Sequence, residues 1–146
     1  MGKRFSFGLE AVLAYRQQQE DAALQAFAVR HRAIETSLLE LARRREQLRA
    51  AERDLRGVIA AERVVAARSY ENHVLFLHRS IDGMIHALAE ARAELDAAHE
   101  AVVDARKQRN VIEALRRRRL AAFEAAAMRA EQAEIDDANA LHRLSS

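Results

Sequence analysis

The sequence of 146 residues has no cysteine, no proline and no tryptophan, and only four glycines, five phenylalanines and two tyrosines. Without cysteine, neither a disulfide bond nor a thiolate metal site can form. Without proline and with few glycines, the usual helix breakers are missing, so long uninterrupted helices are expected. With so few large side chains the chain can fill a narrow seam between helices, but it cannot fill a thick globular core.

Two further absences concern the membrane. No apolar run approaches the length of a membrane-spanning helix, and the N-terminus lacks the apolar stretch of a signal peptide. These features lead us to expect a soluble protein of the cytoplasm. The residues that are abundant, mainly alanine, leucine, arginine and glutamate, are good helix formers and are typical of coiled coils.

Apolar residues recur with the heptad spacing of a coiled coil in both halves of the chain. Steps of alternately four and three residues from Leu13 to Ile59 reach fourteen positions, of which nine are apolar. The same steps from Val74 to Ala105 give ten successive apolar positions. A sustained period of about 3.5 residues predicts a left-handed supercoil. Polar residues also fall on this seam, and we expect them to set its register: Glu20, His31, Arg45 and Glu52.

The reversal between the two helices is predicted in the segment 60–69, where the seam pattern is weak. Val64 and Val65 are β-branched, and Ser69 is a suitable N-cap for a second helix. We therefore predict an all-α fold, with one coiled-coil domain over residues 1–146, a helix over 8–62 and a helix over 70–143. Two long helices would form an antiparallel coiled-coil hairpin.

A reversal centred near residue 66 would place residue i opposite roughly residue 132 − i, which makes the two arms unequal. The basic stretch 106–119 would then face Glu20 and Asp21, and the acidic stretch 90–104 would face Arg30 and Arg32. Residues beyond about 124 would have no partner on the first helix. This pattern predicts a protruding, alanine-rich tip at the C-terminus.

Catalytic and metal-binding patterns are absent from the sequence. None of the six histidines pairs with another at the i, i+3 or i+4 spacing that places two imidazoles on one helix face. No glycine-rich phosphate loop or nucleophile elbow occurs. We expect no enzyme activity, no cofactor and no metal.

The strongest local charge feature is the run Arg116 to Arg119, which follows Arg106, Lys107 and Arg109. Clustered arginine is compatible with nucleic-acid binding, with a solvated helix face or with docking to another protein. Four consecutive residues wrap around a helix, and no aromatics are interleaved for base stacking. The pattern therefore favours protein docking.

The N-terminal string from Arg4 to Arg16, followed by Glu20, resembles the opening of the FliJ family of flagellar export proteins. There an aromatic-x-Leu-x-x-Val-Leu-x-x-Arg pattern begins the first helix. Residues 70–81 resemble the start of the family's second helix, and residues 106–120 resemble its basic run. The sequence departs from the pattern at His73, where some relatives carry an aromatic residue.

This resemblance implies a stalk-like component of the flagellar type III export apparatus. Such a protein would bind the hexameric export ATPase, the export gate and export chaperones, in the cytoplasm and peripherally at the inner membrane. The alternatives are the equivalent stalk of a virulence-type secretion system and a nucleic-acid-binding coiled coil. The residues expected to face the ATPase are Leu13, Arg16, Glu20, Arg116, Arg117, Arg118, Arg119 and Phe123. The residues expected to face the gate are Leu48, Leu55, His73, Leu77 and Met84.

Overall fold

The computed structural model describes residues 2–146, which form two long α-helices. Helix α1 spans Glu10–Ala60 with 51 residues, and helix α2 spans Val64–Ser145 with 82 residues. At a rise of 1.5 Å per residue, α1 is about 77 Å long and α2 about 123 Å long. The predicted all-α hairpin with unequal helices is confirmed.

The reversal occupies only residues 61–63 and closes α1 with a Schellman motif. The amide of Arg63 donates to the carbonyl of Val58 at 3.2 Å, and the amide of Glu62 donates to the carbonyl of Ile59 at 3.0 Å. Glu62 adopts the left-handed conformation with φ of 57°. This position usually carries glycine, because a Cβ atom is strained there.

The predicted boundaries are wrong at the reversal. Helix α2 begins at Val64 and not at residue 70, so Ser69 lies inside the helix and does not cap it. Helix α1 ends at Ala60, two residues before the predicted end at residue 62. The earlier reversal also shifts the register between the helices. Glu10 pairs with Arg116, whereas the predicted register placed residue 122 opposite Glu10. The outer ends differ little, at Glu10 and Ser145.

Contacts divide the chain into two compact units. We call Ala23–Val102 the turn unit, and the residues up to Ala22 with Val103–Ser146 the terminal unit. The extent of a single domain over residues 1–146 stays a prediction.

In the turn unit the two helices pack antiparallel around an apolar core. Ile34 and Leu41 of α1 pack with Ile81 and Leu88 of α2, and Leu48, Met84, Ala91 and Leu95 pack against this cluster. Leu77 is the most deeply buried large side chain, at 1% exposure. These residues all lie on the predicted heptad seam, so burial follows the period of the sequence.

In the terminal unit the helices also pack antiparallel, with Leu13 and Phe7 buried. Phe7 precedes α1 in a segment, residues 2–9, that is not helical. Every residue from 124 to 146 is exposed. This final stretch of α2 is the unpaired tip that the sequence predicts.

Candidate partner-binding surfaces

The N-terminal segment, residues 2–9, packs on α2 of the terminal unit through aromatic and arginine contacts. The ring of Phe5 lies 5.7 Å from that of Phe123, in a tilted arrangement. The guanidinium of Arg116 lies 5.5 Å from the centre of the Phe5 ring, and that of Arg119 lies 5.4 Å from the Phe7 ring. Such cation–π contacts hold a non-helical segment against the helix.

Glu20 is the one charged side chain buried among the described residues, at 8% exposure. Arg109 donates a hydrogen bond to it, and Nε of Arg106 donates another to Oε1 at 3.2 Å. Arg109 also donates to Oε2 of Glu113, one turn along α2, at 2.5 Å. The buried carboxylate is therefore satisfied by two guanidinium groups, as a buried charge must be.

This arrangement shifts two pKa values. The hydrogen bond from Arg109 holds the pKa of Glu20 below its ordinary value, and the bond from Arg106 acts in the same direction; together they outweigh the opposing effect of burial. The hydrogen bond to Glu20 raises the pKa of Arg109. Both groups stay charged at neutral pH, so the ion pair persists there.

The four consecutive arginines separate into two kinds. Nε of Arg116 donates to Oε1 of Glu10 at 2.6 Å, and its guanidinium and that of Arg119 contact phenylalanine rings. Arg117 and Arg118 are exposed, and neither forms an ion pair with any residue in 2–146. Two arginines thus fasten the terminal unit, and two remain available to a partner.

All eight residues predicted to face the ATPase lie in the terminal unit. Leu13 and Glu20 are buried between the helices, whereas Arg16, Arg116 and Phe123 are half-buried. Arg16 donates a hydrogen bond to Gln108 of α2. Only Arg117, Arg118 and Arg119 are exposed.

The residues predicted to face the export gate all lie in the turn unit, but most of them line the seam. Leu77 is buried, and Leu48, Leu55 and Met84 are half-buried. His73 alone of the five is exposed. The heptad positions chosen from the sequence therefore serve the core of this unit.

Other apolar side chains of the turn unit lie outside the seam and are exposed. Leu75 and Phe76 are 54% and 59% exposed on α2, and Val64 and Val65 are still more exposed beside the reversal. An open cleft of about 500 Å³ there is lined by Ile59, Val64, Val65 and charged neighbours. The sequence held a signal for four of these residues, since they are apolar yet fall outside the heptad register: Val64, Val65, Leu75 and Phe76.

Phe5, Phe7, Glu10, Arg106 and Arg109 are structural residues of the terminal unit that the site prediction missed. Phe5 and Phe7 stand in the string that carries the family resemblance, but no periodicity showed where their rings would pack. In the sequence, Arg106 and Arg109 stand out chiefly as members of a basic stretch. Their spacing of three is the usable signal, because it places both on one helix face opposite a seam glutamate.

Residues 2–146 hold neither a metal-binding cluster nor a membrane-spanning helix. No group of three or more histidine, aspartate or glutamate side chains in this range is arranged to hold a metal ion. Within the same range, neither helix has a stretch apolar and long enough to cross a membrane.

Comparison with known families gave a match that covers nearly the whole chain. Residues 5–145 match the family model described as flagellar FliJ protein. Comparison with curated proteins and with solved structures gave no match. The matched range includes Phe5 and the entire tip of α2.

Proposed function

The chain belongs to the FliJ family and is a component of the flagellar export apparatus, and on this premise we propose that it is a stalk-like coiled coil that binds the hexameric export ATPase. It would contact the export gate and export chaperones as well, in the cytoplasm and peripherally at the inner membrane. The family is a structural part of the apparatus, so the role proposed is binding and not catalysis.

The observation that carries this proposal is the uncovered surface of the terminal unit. Helix α2 continues for more than twenty residues after Phe123 with every side chain exposed. Most helix stability in proteins comes from packing of one face, and this stretch buries no face. Arg117 and Arg118 lie just before it and lack internal partners among residues 2–146. A partner protein that covers this region would supply the missing contacts.

The turn unit is proposed to meet the export gate. Leu77, Leu48, Leu55 and Met84 pack along the seam of this unit and are not free to bind a partner. Contacts with the gate would therefore rely on His73 and on exposed apolar residues of α2. Phe76 is the largest of these, at 59% exposure. Exposed aromatic side chains are frequent anchors of protein interfaces.

The test is to mix the purified chain with the flagellar export ATPase of its host and to measure ATP hydrolysis and hexamer formation. We expect a complex and a change in hydrolysis. Replacement of Arg116, Arg117, Arg118 and Arg119 by glutamine should weaken the complex, because the exposed pair is lost and the N-terminal segment is loosened.

The sequence offers a matched control in a second arginine run. Glutamine at Arg43, Arg44 and Arg45 of the turn unit removes a similar charge elsewhere and should leave ATPase binding unchanged. Circular dichroism must show full helix content for each variant. If the folded wild-type chain forms no complex with the ATPase and instead binds nucleic acid with a steep salt dependence, the proposal is wrong.

A further inference from the structure

The basic side chains of α2 in the terminal unit differ in their contacts according to the helix face they occupy. On the side that meets α1, Arg106 and Arg109 bind Glu20, and Arg116 binds Glu10. These three arginines are used by the fold. The remaining cations of this part of α2 lie elsewhere on its surface.

Three of those cations form one row along the outward face. Lys107, Arg118 and Arg129 are each separated by eleven residues, which is about three helical turns, so their side chains stand nearly in line. All three are exposed, and none forms an ion pair within residues 2–146. We call them the outer row, and it extends over about 33 Å of helix.

Carboxylates are kept away from the outer row along the stretch between Asp104 and Asp136. Between Asp104 and Asp136, α2 has four acidic residues, and their positions place all of them more than about a quarter turn from the row. These residues are Glu113, Glu124, Glu131 and Glu134. Asp104, one turn before Lys107, and Asp136, two turns after Arg129, bound this positive face at its two ends. Between these two residues no carboxylate lies beside the row.

The spaces between the cations are apolar and mostly flat. Val111 is 67% exposed beside Lys107, and Ala121, Ala122 and Ala125 fill the interval from Arg118 to Arg129. Small side chains let another protein surface approach closely. No aromatic residue occurs on this face for base stacking, and no bulky apolar cluster occurs there to enter a lipid bilayer.

We propose that the outer row is a docking surface for a carboxylate-rich face of the export ATPase. This inference rests on the proposed function and specifies the chemistry of the contact. The cations would pair with aspartate and glutamate of the partner, while the alanines between them pack against its apolar atoms. Charge complementarity of this kind chiefly accelerates association and selects the partner.

The experiment compares two triple variants of the full chain for ATPase binding at low and at moderate salt. In the outer-row variant, Lys107, Arg118 and Arg129 are replaced by glutamine, which has a similar helix propensity. In the control variant, exposed arginines of α1 in the turn unit are replaced in the same way, with the same loss of three charges. They are Arg32, Arg43 and Arg56.

We expect the outer-row variant to bind the ATPase about tenfold more weakly than wild type at low salt, with a flatter dependence on salt. The control variant should bind like wild type. If all three proteins bind equally, the outer row is not the docking surface, while the proposed function stands. The same conclusion follows if both variants lose binding equally. Absence of binding by wild type rejects both. A loss of binding to RNA or to anionic vesicles, with ATPase binding unchanged, also overturns the proposal.

Discussion

The turn unit and the terminal unit join the same two helices by different kinds of contact. In the turn unit, aliphatic side chains such as Ile34, Leu41 and Ile81 form a continuous core, and ion pairs are exposed additions. In the terminal unit a buried glutamate takes a seam position, and arginines bind it and the phenylalanines of the N-terminal segment.

The contrast explains why exposed cations that could bind a partner remain in the terminal unit. The free energy gained by hydrophobic burial is proportional to the apolar area removed from water and needs no particular bonding geometry, so the turn unit is stabilised chiefly by the apolar side chains of its seam. Ion pairs and arginine–aromatic contacts depend on geometry, and they occupy the arginines that face α1 or the N-terminal segment. The arginines and lysine on the outward side are left exposed, where a partner would meet them.

The largest effect is expected from a cavity in the turn unit. Replacing Leu77 by alanine should lower the free energy of unfolding by about 2 to 4 kcal/mol, because a fully buried leucine is lost. The matched change at Leu75, which is 54% exposed on the same helix, should cost less than about 0.5 kcal/mol. Urea unfolding followed by circular dichroism measures both. Similar losses in the two variants would contradict an apolar core as the basis of this unit.

A smaller loss, dependent on pH, is expected in the terminal unit. Glutamine at Glu20 removes the charge that Arg109 and Arg106 bind, so the urea midpoint at neutral pH should fall. Because the pKa of Glu20 is lowered in the folded chain, its stabilisation is complete above the ordinary glutamate pKa of about 4.3. It is lost as the pH falls from there through the lower, folded-state pKa.

The difference between wild type and the Glu20→Gln variant should therefore be largest near neutral pH and shrink in acid. Glu46, whose pKa is also lowered, by the hydrogen bond from Arg49, is present in both proteins and cancels in the comparison. Asparagine at the exposed neighbour Asp21 is the control and should change little. A difference that stays constant into acid would show that the carboxylate charge is not what stabilises this unit.

The parts of the fold that follow a period could be predicted from the sequence, and the parts set by single conformations could not. Leu77, Ile81 and Leu88 are buried as the heptad pattern predicts, and Glu20 faces the basic stretch of α2 as the charge pattern predicts. The packing of Phe7 was not predictable, because residues 2–9 have no repeat to orient them.

The same reasoning explains why most of the residues predicted to face the export gate are covered. A heptad position marks a side chain that faces the other helix, so residues such as Leu77 that were chosen on the seam are covered by α1. Residues outside the register, such as Phe76, keep the exposure that a partner needs.

The reversal was misplaced because its controlling residue is unusual for its position. A glycine or asparagine normally marks the left-handed residue that ends a helix, and the segment 60–69 contains neither. Glu62 takes that conformation because the Schellman hydrogen bonds require it. The reversal therefore holds a small, local strain that no sequence pattern shows.

Relief of this strain gives the smallest expected change in the free energy of unfolding, and it is an increase where the other predictions expect a decrease. Glycine at Glu62 should raise the free energy of unfolding by about 0.5 to 1 kcal/mol, because glycine adopts a positive φ without a steric penalty. Glycine at Ala60, the last residue of α1, should instead lower it by a similar amount, because φ is helical there. Thermal unfolding of the two variants separates relief of strain from a general effect of glycine. If both variants lose stability, the turn is not held by the left-handed residue at position 62.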